Sequence, residues 1–187
     1  DIQKALQKSI ENQKVGFSHS FDMLGEAALT AQDAQRYFES YLNAIKAVGS
    51  HNKKHREHKG SISIKLSALH PRYEYAQKDR VIQELVPVLR QLCHEAAQLD
   101  VDITIDAEEA DRLELSLEVF HNVFADPLLK EGSGFGMAVQ AYQKRCSKVL
   151  EMLKKLSQAF DKSIKIRLVK GAYWDSEIKW AQERGLK

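Results

Sequence analysis

Proline and cysteine are scarce in this chain, three and two among 187 residues, and no long apolar run occurs. Cys93 and Cys146 fall in stretches that read as helix and make no ligand-type spacing, which argues against a disulfide framework and suits a reduced intracellular protein. Nothing approaches the ~20 consecutive apolar residues of a membrane span, and no charged-then-apolar leader with a small-residue cleavage site is read at the start. An excess of one charge is lacking as well: 28 Lys and Arg against 26 Asp and Glu leave a net +2, too mild to argue for nucleic acid. With 43% apolar and 29% charged residues, the composition suits one sizeable core. The single compositional break runs from Gly49 to Gly60, where His51, His55 and His58 mingle with Lys53, Lys54, Arg56 and Lys59. Cations on every side oppose a divalent metal there, so a solvated loop is expected, and no metal.

What is present is periodic. Residues 1–14 read as a leading helix, best over 2–13, ahead of one domain spanning 15–187. Val15 to Asp22 alternates, with Val15, Phe17, His19 and Phe21 opposite Gly16, Ser18, Ser20 and Asp22. Thr30 with Asp33 resembles a capping box and opens a helix to about Val48. A strand over Ser61–Leu66 precedes a helix over Lys78–Leu99, which Pro87 should kink or break. Then come a strand over Val101–Asp106, a helix over Ala110–Phe124, a strand over Gly134–Gln140 and a helix over Tyr142–Phe160. Ser163–Val169 is the fifth strand, followed by a turn at Gly171 and the start of another helix. Five alternations of strand and helix require parallel neighbours, hence an α/β fold. Order alone leaves a closed barrel and an open doubly wound sheet both standing, although no G-x-G-x-x-G follows any strand.

Parallel strands are usually apolar on both faces. Here each strand has one apolar face and one of small or polar side chains. If the apolar face meets the helices, the other points into a barrel lumen. At the C-terminal strand ends it delivers Asp22, Lys65, Asp106, Gln140 and Arg167. Two cations and two carboxylates could form a purely structural ion network. A polar group at every strand end of the barrel mouth favours a binding site. Glu108, Glu109 and Asp111 read as helix N-terminal charges, and Lys144 with Arg145 as a surface pair at a helix start.

Three blocks, Phe21-Asp22-Met23-Leu24-Gly25-Glu26-Ala27, Ser63 through Tyr73 and Ile105 through Arg112, resemble the proline dehydrogenase domain of bifunctional proline utilisation A proteins. So do Gln140-Ala141-Tyr142-Gln143-Lys144-Arg145 and Arg167 through Asp175. The resemblance implies a parallel (β/α)8 TIM-type barrel, here truncated to about five βα units, that binds FAD. It implies oxidation of L-proline to 1-pyrroline-5-carboxylate, with electrons passed to membrane quinone. The implied setting is a cytoplasmic protein, peripherally associated with the inner membrane, that also carries an aldehyde dehydrogenase. By resemblance, Lys65, Asp106 and Arg167 are catalytic, and Lys65, Asp106, Leu168 and Tyr173 bind substrate. Gln140, Arg167, Val169, Lys170, Gly171, Ala172 and Trp174 contact the flavin, and Glu26 gates the pocket.

Five strands fall short of eight, so the remainder of the same chain is an expected partner and the 187 residues alone should be inactive. Open sheet edges would let a second copy pair as a homodimer. Two rival readings stand beside this one: a Schiff-base lyase with Lys65 or Lys170 as nucleophile, and a non-catalytic fragment.

Overall fold

The computed structural model describes residues 2–57, 59–129, 132 and 134–186. Helix α1 (Ile2–Gln13) packs through buried Leu6 on α2 (Ala31–Lys54). Thr30 starts α2 with a reciprocal cap: its hydroxyl accepts from the Asp33 N–H at 3.1 Å, and its own N–H donates to the Asp33 carboxylate at 3.1 Å. The strands are β1 (Ser20–Asp22), β2 (Ser61–Ile64), β3 (Asp102–Ile105), β4 (Phe135–Gln140) and β5 (Lys165–Val169). Between them run α3 (Leu66–Leu69), α4 (Lys78–Gln98), α5 (Leu113–Phe124) and α6 (Cys146–Phe160), and α7 (Trp174–Glu183) follows β5.

All neighbouring strands are parallel, in the order β1-β2-β3-β4-β5. Nowhere does the order reverse, so the switch point of a doubly wound sheet is absent from the described residues. The sheet is also curled. Four inter-strand steps in a flat sheet would separate β1 from β5 by about 19 Å. Yet Nη2 of Arg167 on β5 donates to Oγ of Ser20 on β1 at 2.7 Å. Only barrel-type curvature brings the two ends within one side chain's reach.

The core lies outside the curl. Phe21, Ile62, Ile64, Ile103, Ile105, Phe135, Met137 and Val139 are buried on the outer face of the sheet. They meet Tyr41, Ile45 and Val48 of α2, Leu85, Leu89 and Leu92 of α4, Leu115, Val119 and Phe120 of α5, and Val149 and Leu153 of α6. The polar strand faces are thereby turned inward, the direction that their alternation predicts. On β5 the outer-face residues Ile166 and Leu168 are 39% and 59% exposed.

Several boundaries differ from the sequence reading. Residues 14–16 form a turn and 17–19 lie outside any strand: the N–H groups of Val15 and Phe17 return to the Asn12 carbonyl, and Gly16 takes φ +92°. Their alternation is accidental, and Val15 and Phe17 stand 72% and 62% exposed. Helix α2 continues past Val48 to Lys54, because buried Asn52 carries its end into the core. Asn52 exchanges two hydrogen bonds with Gly60, at 2.8 and 3.0 Å, and donates to the Asp100 carbonyl at 3.2 Å. His51 therefore lies in the helix, its ring stacked on that of His55 at 4.4 Å; His58 lies outside the described residues. Among the described residues no cluster of His, Cys, Asp or Glu is arranged to hold a metal. Leu66 opens the short helix α3 rather than ending β2, α6 begins at Cys146 instead of Tyr142, and Pro87 sits inside an unbroken α4.

Gly136 marks the tightest seam of the sheet. A Cβ there would stand 2.0 Å from the Lys165 carbonyl oxygen, a backbone atom that cannot move without parting β4 from β5. Gly136→Ala should cost at least about 2 kcal/mol of stability in urea titration, the range of an overpacked core. Unchanged stability would show that the strands can separate freely.

Candidate active site

The parallel register alone sets three charged side chains on one layer. Ile64 pairs with Ile105, and Ile105 with Met137. One residue further along each strand come Lys65, Asp106 and Ala138, and Ala138 pairs with Arg167. All four face the hollow, and the small Ala138 leaves room for Arg167 to extend.

The charges alternate along a bonded chain. Nζ of Lys65 donates to both carboxylate oxygens of Asp22, at 2.9 and 2.8 Å, and to Oδ2 of Asp106 at 3.2 Å. The other Asp106 oxygen accepts from Nη1 of Arg167 at 3.0 Å. Arg167 is braced further by the hydroxyls of Ser63 and Ser20, at 2.9 and 2.7 Å. Below this layer Lys165 meets Asp102, also on the inner face.

Burial opposes the Lys65 charge, but the hydrogen bonds and fields of Asp22 and Asp106 outweigh it and hold its pKa above the usual lysine range. A lysine kept protonated in this way is a poor nucleophile, which argues against Lys65 as a Schiff-base residue. Tyr41 of α2 sets the strand end: its hydroxyl oxygen accepts the Lys65 N–H at 3.1 Å, and burial pushes its own pKa up to about 12.

Gln140 is anchored at both ends of its amide. Nε2 donates to the Glu108 carbonyl at 2.8 Å, and Oε1 accepts the Ala172 N–H at 3.3 Å. Gly171 follows at φ +126°, where a Cβ would fall 2.2 Å from the Tyr142 ring, so only glycine fits. Val169 shares the inward parity of Arg167, whereas Leu168 lies on the opposite face of β5. Lys170 and Ala172 are exposed, and Trp174 is 47% exposed at the start of α7. Tyr173 is half-buried, and burial with the fields of Glu109, Glu26 and Glu108 pushes its pKa up to about 12. Glu26 is exposed in the segment between β1 and α2.

Asp22, Lys65, Asp106 and Arg167 thus converge directly, while Gln140 joins the neighbouring backbone of the rim. Sequence reasoning missed Glu108. Read there as a helix N-terminal charge, it is instead buried, its side chain 6% exposed, and bonded to Arg112 at 2.9 Å and to the Ser67 N–H at 3.1 Å. No strand parity could have found it, because β3 ends at Ile105 and Glu108 lies in the connection that follows. Arg145 is likewise more than a surface group: it donates to the Ala110 carbonyl and faces Glu114 at 3.4 Å.

The chain matches the proline dehydrogenase family over residues 5–187. It belongs to that family. It is 51% identical over all 187 residues to the bifunctional protein PutA of Salmonella typhimurium, covering 14% of that protein. The fold superposes on a mutant of proline utilization A from Bradyrhizobium japonicum with TM-score 0.86 and 55% identity, covering 90% of this chain and 17% of the other. On proline utilization A from Bdellovibrio bacteriovorus inactivated by N-propargylglycine, the TM-score is 0.92 at 28% identity, covering 100% of this chain and 21% of that one. The chain therefore spans about one seventh of the curated PutA relative. The fold class read from the sequence, a parallel α/β sheet of barrel type, agrees with these neighbours.

Because its folded pKa is raised, Lys65 contributes stability that is complete below its ordinary value of 10.5 and lost as pH climbs above it. The stability difference between the natural protein and Lys65→Met, measured in denaturant, should be constant up to about pH 10 and shrink beyond it. A difference that grows with alkali would contradict the pairing.

Proposed function

We propose that this chain supplies the proline-binding and flavin-binding strand ends of an FAD-dependent proline dehydrogenase, within a bifunctional protein that also carries an aldehyde dehydrogenase. The observation that carries the reading is the Lys65–Asp106–Arg167 chain at the mouth of a curled parallel sheet. Lys65 offers a compact cation to one carboxylate, and a substrate carboxylate would displace Asp22 from it, the more exposed of its two partners. Asp106 holds the Lys65 and Arg167 heads at a fixed separation. We assign the ring wall to Tyr173 and the pocket entrance to Glu26; Leu168, on the outer face of β5, is given no place beside the substrate.

The rim fits a flavin. Gln140 fixes one donor and one acceptor at the rim, and Trp174 leaves an aromatic face about half open. Gln140, Arg167, Val169, Lys170, Gly171, Ala172 and Trp174 would hold it. When bound, FAD would supply the acceptor for the hydride that leaves the ring carbon beside nitrogen not bearing the carboxylate; with loss of a proton from nitrogen to solvent this gives 1-pyrroline-5-carboxylate. Arg167 would contribute a guanidinium charge against the negative charge that develops on the reduced ring. Inactivation of the Bdellovibrio relative by N-propargylglycine supports the substrate class, since that compound shares proline's secondary amine beside a carboxylate.

Among the described residues no helix is long and apolar enough to cross a membrane. Separately, the family resemblance is what supports delivery of electrons to quinone by peripheral contact of a cytoplasmic protein with the inner membrane. Alone, these 187 residues should bind FAD weakly and turn over proline negligibly, because β1 and β5 do not pair and the arc stays open.

The test is made in the full-length protein. Lys65→Met should raise KM for proline by about tenfold or more, the loss of one charge-assisted contact. Arg167→Met should slow proline-dependent flavin reduction by about 100-fold, the effect of removing one electrostatic stabiliser. Unchanged constants in both would favour the non-catalytic reading, and borohydride trapping of a carbonyl on Lys65 or Lys170 would favour the lyase.

A further inference from the structure

The carboxylate of Glu108 has no place in the substrate and flavin contacts assigned above, yet it is among the least exposed charges of the rim. Its side chain is 6% exposed, and desolvation raises its pKa against the lowering pull of Ser67 and Arg112. Burying a carboxylate at the edge of an open mouth is unfavourable unless its bonds do something that an apolar side chain could not.

Those bonds run sideways around the rim. Oε1 accepts the Ser67 N–H, in α3 just after β2, at 3.1 Å. Oε2 accepts from Arg112 at 2.9 Å, and the same guanidinium lies over the Tyr73 ring, 5.6 Å from its centre. The main-chain carbonyl of Glu108, after β3, accepts Nε2 of Gln140 at the end of β4. Oε1 of Gln140 then accepts the Ala172 N–H, just after β5. Four consecutive strand ends are joined through two side chains, one of them Glu108.

We propose that Glu108 is the positioning residue of this rim: its carboxylate and carbonyl tie the ends of β2, β3, β4 and β5 into one edge and so fix which way the Gln140 amide faces. Gln140 has no free choice of orientation, because its nitrogen must meet a carbonyl and its oxygen an N–H. Loosening Glu108 releases Gln140 and, through it, Ala172. The tie is read from geometry alone; its consequence for the flavin rests on the function proposed above.

The experiment is segment-resolved hydrogen exchange on the full-length, FAD-loaded protein. In Glu108→Ala, exchange should rise by about tenfold both at residues 66–69 and at residues 171–173, the loss of roughly one charge-assisted bond, while α4 stays protected. Glu108→Gln keeps an acceptor for the Ser67 N–H but not for Arg112, and should give a smaller rise at the same two places. If Glu108→Ala does not fold, Glu108→Gln carries the measurement. The visible absorption of the bound flavin should shift in the Glu108 variants but not in Val81→Ala, a core change in α4 that lowers Tm without touching the rim. A rise confined to residues 66–69, or the same spectral shift in Val81→Ala, overturns the proposal. Should both segments loosen while proline fails to reduce the flavin of the natural protein, the tie stands and the dehydrogenase reading falls.

Discussion

A cation or a carboxylate turned into the hollow of a sheet gives up part of its hydration, and a counter-charge close by offsets that loss. In this chain Asp106 makes that possible. One of its oxygens serves Lys65 and the other Arg167, so two cations from different strands stand at a fixed spacing without repelling each other apart. Asp22 closes the series on one side and the hydroxyls of Ser20 and Ser63 on the other. Everything else in the fold is consistent with keeping this layer in register. The strands are parallel and in sequential order, β4 presents the small Ala138 beside Arg167 and Gly136 against the Lys165 backbone, and the large apolar side chains of β2, β3 and β4 are packed on the outer face.

The helices do more than cover the sheet. Tyr41 belongs to the apolar stripe of α2, fully buried against the core, yet its hydroxyl ends β2 by taking the Lys65 N–H. The side chain that seats α2 is thus the one that stops the strand where Lys65 can reach both carboxylates. Glu108 plays a comparable part at the mouth, where α3, the turn before α5 and the end of β4 meet.

Much of this was legible beforehand, for definite reasons. Alternation in Ser61–Ile64 and Asp102–Ile105 separates apolar from polar faces so cleanly that the inward set, and with it Lys65, Asp106 and Arg167, follows from parity. The capping pair Thr30 and Asp33 marked the start of α2 to the residue. Alternation misled at Val15–His19, where a glycine turn mimics its period, and it has no hold on Glu108, which lies past the end of β3. Nothing in the one-dimensional pattern foretold Asn52 or Tyr41, because their importance lies in partners 8 to 48 residues away. The outward parity of Leu168 is equally plain in the alternation of β5, and blocks of family resemblance do not encode it.

The bond between Arg167 and Ser20 joins positions 147 apart in sequence. Loop-closure entropy makes such a contact slow to form relative to those between adjacent strands. A chain emerging from its N-terminus brings Asp22, Lys65 and Asp106 together first, two negative groups sharing one positive. Until β5 is laid down, that cluster carries an uncompensated charge, and the arrival of Arg167 both neutralises it and draws the first strand toward the fifth. The curl of the sheet and the electrical balance of its interior are therefore completed in the same late event.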